Sequence, residues 1–440
     1  MTKLSGFASP DAWQTVQRLL PTDWEREAML LGFSSVAHSP PGAVCPSASA
    51  KLRTMLHLVA SNASLRTSAA ASSAAGLVSV THVAIHKWFR GAVPFFSYLL
   101  LSLTDTRQSF APDRWAGYVV RAIDATTVQR PGAQGATARI HYCLRLSDMA
   151  CVQCILTNEK VGESLRNFTT AAGVLDLADR GYSNPPSIAA AVDQHGSVVV
   201  RWNPPSLPLY DRQGRRNDPS AIGRGLGLGQ VREWPAEVRP KDHEPIPVRL
   251  VVTRLPEDKA GEARARLRRE HGKDATAQML HWAGFIMLIT TVPKEQLDCV
   301  AIAELYCLRW QIELQFKRDK SVGGLDLLPN RRDENIKAWI LAKLVLAELS
   351  RRLTAVSTPA PRRTAGAAPS LQVADHLWEC ASLAWSLLRS AFLPIDWRDI
   401  PGFVRRFRAH LARLKRHDDQ KQVAAFLAFL QSQPRDVAPG

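Results

Sequence analysis

Four side chains within fifteen residues have the types and spacing to handle a phosphodiester. Tyr306, Arg309, Glu313 and Lys320 stand in the run YCLRWQIELQFKRDK, separated by two, three and six residues. Read as one helix over 301–322, a step of about 100° per residue places all four within an arc of roughly 60°. Leu305, Leu308, Ile312 and Phe316 form the adjacent apolar stripe, suited to packing on a sheet. The polar edge then carries a carboxylate, two cations and a phenol. A carboxylate that can bind a divalent cation, beside cations that can bind phosphate, is what phosphoryl transfer on DNA requires. Ion pairs on a solvated helix face are the plainer alternative. They account for the charges but not for Tyr306 beside Arg309.

One carboxylate is too few for such a site. Two more close apolar runs: Tyr118-Val-Val-Arg-Ala-Ile ends on Asp124, and Val174-Leu-Asp-Leu-Ala ends on Asp179. Each sits where a strand leaves its sheet, although a turn-forming or capping Asp would look the same. With Glu313 they could hold two divalent cations about 4 Å apart, one at the attacking oxygen and one at the leaving oxygen. Ligands that are all oxygen imply Mg²⁺ or Mn²⁺ and not zinc. Asp176 competes with Asp179, but strand alternation turns it to the opposite face, so Asp179 is preferred.

The elements that must position these groups follow from the pattern. Residues 1–110 read as helical. An apolar run from Leu52, an Ala/Ser-rich segment, Gly76 and a helix over Val80–Phe89 resemble a helix-turn-helix, with His86, Lys87 and Arg90 offered to a groove. A plain helical hairpin is the alternative. Residues 111–195 give three strands, a helical stretch at Glu163–Thr170, a short strand and the helix Ser187–Gln194, which suggests a mixed sheet with helices on its faces. Residues 196–292 read as a β-rich insertion, and 293–355 as helices that complete the core. A Pro/Ala linker from 357 to 370 precedes a helical, basic C-terminal region, 371–440. Its cluster Arg405, Arg406, Arg408, Arg413, Lys415 and Arg416 reads equally as a DNA contact or a solvated helix face.

Composition narrows the partners. Lys and Arg total 56 against 40 Asp and Glu, a net charge of +16 spread along the chain, which points to a polyanion. The seven cysteines suit a reducing compartment, and Cys151-Val-Gln-Cys154 reads as ordinary strand positions. The Gly-rich GRGLGLG reads as a loop and not a phosphate cradle, since no strand precedes it. No stretch is long and apolar enough to span a bilayer, and the N-terminus lacks a signal-peptide core. The expectation is a soluble, cytoplasmic protein with no membrane partner.

Together these motifs resemble the transposases of the insertion-sequence-four superfamily. Their Tyr-Arg-Glu-Lys signature is matched at all four positions, and both Asp motifs occur in the same order, Asp124-Ala-Thr-Thr and Leu177-Ala-Asp179-Arg-Gly-Tyr. The resemblance covers roughly residues 50–355. It implies a ribonuclease-H-like α/β core interrupted by a β-rich insertion, with Asp124, Asp179 and Glu313 binding two metal ions. Tyr306, Arg309 and Lys320 would hold phosphates. The implied reaction is cut-and-paste transposition: metal-assisted cleavage, release through a hairpin, and joining of the 3′-hydroxyl to target DNA. A homodimer acting on terminal inverted repeats is implied, with an insertion aromatic, Phe285 or alternatively Trp282, stacking on a flipped base. A non-catalytic, domesticated DNA-binding relative and a stand-alone nuclease are the alternatives.

Overall fold

The structure is a computed structural model that describes residues 12–34, 46–104, 115–218, 223, 225–329, 333–357, 371–412 and 428. It divides into two compact units, one formed by 105–127 with 138–315, the other by the remaining segments.

Six helices open the helical unit: α1 (Ala12–Gln17), α2 (Trp24–Leu30), α3 (Ala48–Ala60), α4 (Leu65–Ala74), α5 (His82–Arg90) and α6 (Val93–Leu103). Ser47, Ser64 and Thr81 cap α3, α4 and α5 by accepting backbone N–H bonds. The turn from α4 to α5 depends on Gly76. Its φ of +70° lets Gly76 N–H reach the Ser73 carbonyl and Leu77 N–H reach that of Ser72. The Ala/Ser-rich segment is thus itself a helix, because small residues let it pack closely at Ala70, Ala71 and Ala74.

The α/β unit holds one eight-stranded sheet. Its strands are β1 (Val119–Val128), β2 (Ala138–Arg145), β3 (Ala150–Thr157), β4 (Val174–Ala178), β5 (Ser197–Arg201), β6 (Val231–Val238), β7 (Ile246–Arg254) and β8 (Phe285–Thr290). They lie in the order β3-β2-β1-β4-β5-β8-β7-β6. β4 runs parallel to both β1 and β5, whereas the remaining pairs from β5 through β6 are antiparallel. This mixed sheet with flanking helices is consistent with a ribonuclease-H-like fold. The strands after residue 196 hydrogen-bond into the same sheet as β1–β4. The helices of this unit begin with α7 (Pro185–Asp193), α8 (Glu257–His271), α9 (Ala277–Trp282) and α10 (Cys299–Cys307). α11 (Trp310–Ser321) begins here and continues into the helical unit. The stretch Glu163–Thr170 contains only a 3₁₀ turn, Leu165–Asn167, started by the Ser164 cap. α7 starts sharply because Asn184 caps it and two prolines follow.

The helical unit closes with α12 (Asp333–Ser357), α13 (Leu371–Ala391) and α14 (Ile400–Ala412). α12 packs on α3, α5, α6 and α13. Its buried Lys343 donates to Asn62 Oδ1 at 2.7 Å and to the Gly323 carbonyl at 3.2 Å. Of the basic C-terminal cluster, Arg405, Arg406 and Arg408 lie on α14, whereas Arg413, Lys415 and Arg416 fall outside the described residues. Among the described residues no helix is long and apolar enough to cross a membrane.

One polar contact fixes the centre of the sheet. β4 is buried along almost its whole length, as parallel interior strands are, and Asp176 in its middle is 2% exposed. A carboxylate there demands a partner. Arg121, its register neighbour on β1, supplies two hydrogen bonds, Nε to Oδ1 at 2.7 Å and Nη2 to Oδ2 at 2.9 Å. Asp176 is therefore committed to an ion pair inside the sheet. Asp176→Ala strands a buried guanidinium and should cost about 3–5 kcal/mol in denaturant unfolding. Pairing Arg121→Met with Asp176→Leu should recover most of that loss. A single-variant cost below about 1 kcal/mol would show that this pair does not hold β1 to β4.

Candidate active site

The parallel register brings the two predicted aspartates together. Arg121 is opposite Asp176 and Ala122 opposite Leu177, so continuing the register sets Asp124 opposite Asp179. Asp179 directly follows the last residue of β4, as expected, whereas Asp124 lies midway along β1, which runs on to Val128. Each Asp makes one local bond of the kind a turn would use: Asp124 Oδ1 accepts from Ala125 N at 2.8 Å, and Asp179 Oδ1 from Gly181 N at 2.8 Å. The second oxygen of Asp124 accepts from Arg309 Nη1 at 3.4 Å, and Arg309 Nη2 donates to Glu313. One guanidinium thus bridges the strand carboxylate and the helix carboxylate. Among the described residues, no three potential ligands already enclose a single metal position.

The 301–322 segment is two helices and not one. At Leu308 and Arg309 the backbone hydrogen bonds shorten to i→i−3: Leu308 to Leu305, Arg309 to Tyr306, Gln311 to Leu308 and Ile312 to Arg309. A 3₁₀ step turns about 120° per residue instead of about 100°, so the wheel expected for a single helix does not carry through the junction. Leu305, Ile312 and Phe316 are buried as expected, but Leu308 at the step is only half-buried. α10 packs on β6 and β7. Tyr306 is 9% exposed, with a hydroxyl that has no hydrogen-bond partner, and the Arg309 guanidinium lies 5.8 Å from its ring centre. Lys320 follows Glu313 on α11.

Burial and like charge dominate the electrostatics. Burial pushes the Asp124 carboxyl up to about 7; the charges of Asp179 and Glu163 add to this, and the Ala125 N–H and Arg309 oppose it. Burial and Asp179 also raise Glu163. Burial works against the Arg309 charge, but Tyr306, Glu313 and Asp124 outweigh it and raise its pKa. Burial lowers Arg180 to about 10, with Arg201 adding to the effect, and lifts the Tyr306 phenol to about 12. The site is a crowd of carboxylates whose repulsion is only partly answered by arginine. An oxygen-only donor set under this strain fits hard divalent cations.

A family profile described as a transposase DDE domain matches residues 115–347. The chain belongs to the DDE transposase family. It is 31% identical over 298 residues to the transposase for insertion sequence element IS421 of Escherichia coli, covering 66% of this chain and 80% of that one. A shorter stretch of 63 residues is 36% identical to the transposase for element IS231F of Bacillus thuringiensis subsp. israelensis, 14% of this chain and 13% of that one. Family membership makes DNA the substrate and divalent-metal chemistry the general mode of catalysis.

The other predicted contact residues of this transposase lie on β8, α9 and α5. Phe285 is 7% exposed, with its ring packed beneath Gly223 and 5.2 Å from that of His281. It borders a cavity of about 250 Å³ that Arg254, Arg264 and His281 also line. Trp282 is partly buried against the same core. On α5, Lys87 and Arg90 are exposed and His86 is half-buried beside Asn335, whereas Ile85 and Phe89 form the packed face. Val83 is 48% exposed.

Sequence reasoning passed over Glu163, Arg180, Arg201 and Arg266. The charge of Glu313 bears on Arg266 of α8, and that of Arg201 on Arg180 and Tyr306. Only Arg180 carried a signal, as the neighbour of Asp179. The raised Asp124 carboxyl makes a signed prediction. A group that binds its proton more tightly folded than unfolded favours folding at low pH, and this stability is lost as pH rises from about 4 to about 7. In chelator, Asp124→Asn should raise the melting temperature by about 2–5 °C at about pH 8 and far less at about pH 4.5. Equal shifts at both pH values would contradict a buried, repelled Asp124.

Proposed function

We propose that this chain performs cut-and-paste transposition, with Asp124, Asp179 and Glu313 holding two Mg²⁺ or Mn²⁺ ions. The observation that carries this reading is the register that opposes Asp124 to Asp179, with Arg309 joining Asp124 to Glu313. When bound, the cations would activate the attacking water or 3′-hydroxyl and stabilise the leaving oxygen. The three carboxylates fix where that charge sits. Arg309, paired here with Asp124 and Glu313, would hold a phosphate of the transposon end. Tyr306 orients Arg309 through its ring, and Lys320 contacts a further phosphate. Arg180 and Arg201 extend the same basic wall.

On α5, Lys87, Arg90 and His86 contact the terminal inverted repeat. The cavity beside Phe285, with Trp282 near it, receives a displaced base, whose stacking on an aromatic ring requires Phe285 to be uncovered. Two transposon ends joined to one target need two active sites, hence a homodimer on DNA.

Purified protein with Mg²⁺ should nick DNA that bears its own inverted repeats. Glu313→Gln should bind that DNA normally and lose at least about 10²-fold in cleavage, because the group lost acts on the reacting oxygens. Normal cutting by this variant would remove Glu313 from the site; no cutting by the wild type on any end sequence would favour a non-catalytic relative. Lys320→Ala should lower the slope of log affinity against log salt by about 0.9, the share of one phosphate.

A further inference from the structure

A fourth carboxylate approaches the site from the loop between β3 and β4. Glu163 is half-buried and, among the described residues, makes no hydrogen bond or ion pair. Its position is revealed by Gly181. A Cβ on residue 181 would stand 2.0 Å from Glu163 Oε2 and 3.2 Å from Asp179 Oδ1, so both oxygens crowd one point above this glycine. The backbone of Gly181 does not enter the left-handed region, so the close carboxylates, and not φ, are what a side chain here would meet.

A second, independent feature faces the same space. Tyr182 is fully buried, with its ring packed in the core that includes Ile123, Ala178 and Ile188. Its hydroxyl has no hydrogen-bond partner, yet the charges of Asp124, Glu163 and Asp179 all bear on it. A buried hydroxyl without a partner, under the charge of three carboxylates, is a donor that a polar ligand would satisfy. The positive charge of Arg139 bears on Glu163, and the Arg139 Nε is itself buried without a partner.

We propose that Glu163 is a fourth carboxylate of the cation site, sharing a divalent cation with Asp179 across Gly181. The inference rests on the reading of Asp179 as a cation ligand. Tyr182 donates its hydroxyl to a water held by that cation, and residue 181 is glycine so that the two carboxylates can close on one ion.

The test is Mn²⁺ titration calorimetry on the full-length, DNA-free chain, with thermal melting in chelator as the second readout. Glu163→Gln keeps the volume of the side chain and should weaken Mn²⁺ binding by about tenfold. Its melting temperature in chelator should stay level or rise, since a charge repelled by Asp179 has gone. Gly181→Ala pushes aside the flexible end of Glu163 and crowds Asp179 Oδ1, and should reproduce the affinity loss without removing any carboxylate. Wild-type Mn²⁺ affinity in Glu163→Gln or in Gly181→Ala, with affinity lost in Asp179→Asn, overturns the proposal and leaves the three-carboxylate site standing. Unchanged affinity in Asp179→Asn overturns both. A lower melting temperature of Glu163→Gln in chelator with unchanged affinity assigns Glu163 a structural role and also overturns the proposal.

Discussion

The ion pair between Arg121 and Asp176 is the constraint on which the site depends. It lies between two adjacent parallel strands, three residues before Asp124 on one and three before Asp179 on the other. Buried pairs of this kind add little net stability, because desolvation offsets most of the attraction. Their effect is on alternatives. A slip of β1 against β4 would leave a charge unpaired in the core and turn every side chain to the other face. The correct register is then the one that leaves no charge stranded, and it is also the one that sets Asp124 and Asp179 opposite each other.

Acidic side chains crowd this part of the sheet. Asp124 is repelled by Asp179 and Glu163, and burial strengthens the effect. Arg309 answers part of it by bridging Asp124 to Glu313. The 3₁₀ step between α10 and α11 places Arg309 in this bridge, since it lies in the linker and not on either helix. Mid-helix 3₁₀ steps are common where a helix must aim a functional group. Here the step turns the Tyr-Arg half of the signature relative to the Glu-Lys half.

Several elements left no trace for sequence reading to find. α8 buries only Ala260, so no apolar periodicity marks it, and its alternating charges resemble a solvated loop. Glu163 stands in irregular backbone, far in sequence from every other carboxylate of the site, and nothing local separates it from a surface Glu. Asp176 and Asp179 could be told apart by strand alternation, but the commitment of Asp176 to Arg121 needed the neighbouring strand.

By itself, the sequence determined the family and the mixed α/β class and nominated the three carboxylates, because each signal is local. The Tyr-Arg-Glu-Lys spacing lies within fifteen residues, and each Asp directly closes its own apolar run. Tertiary structure decided everything that depends on which strand lies beside which. It joined the strands after residue 196 to the same sheet, broke one expected helix into two and buried Phe285 under Gly223. It also brought Glu163 and Tyr182 to the aspartates. Those placements are set by hydrogen-bond register and by the packing of residues distant in sequence, and neither leaves a periodic mark on the chain.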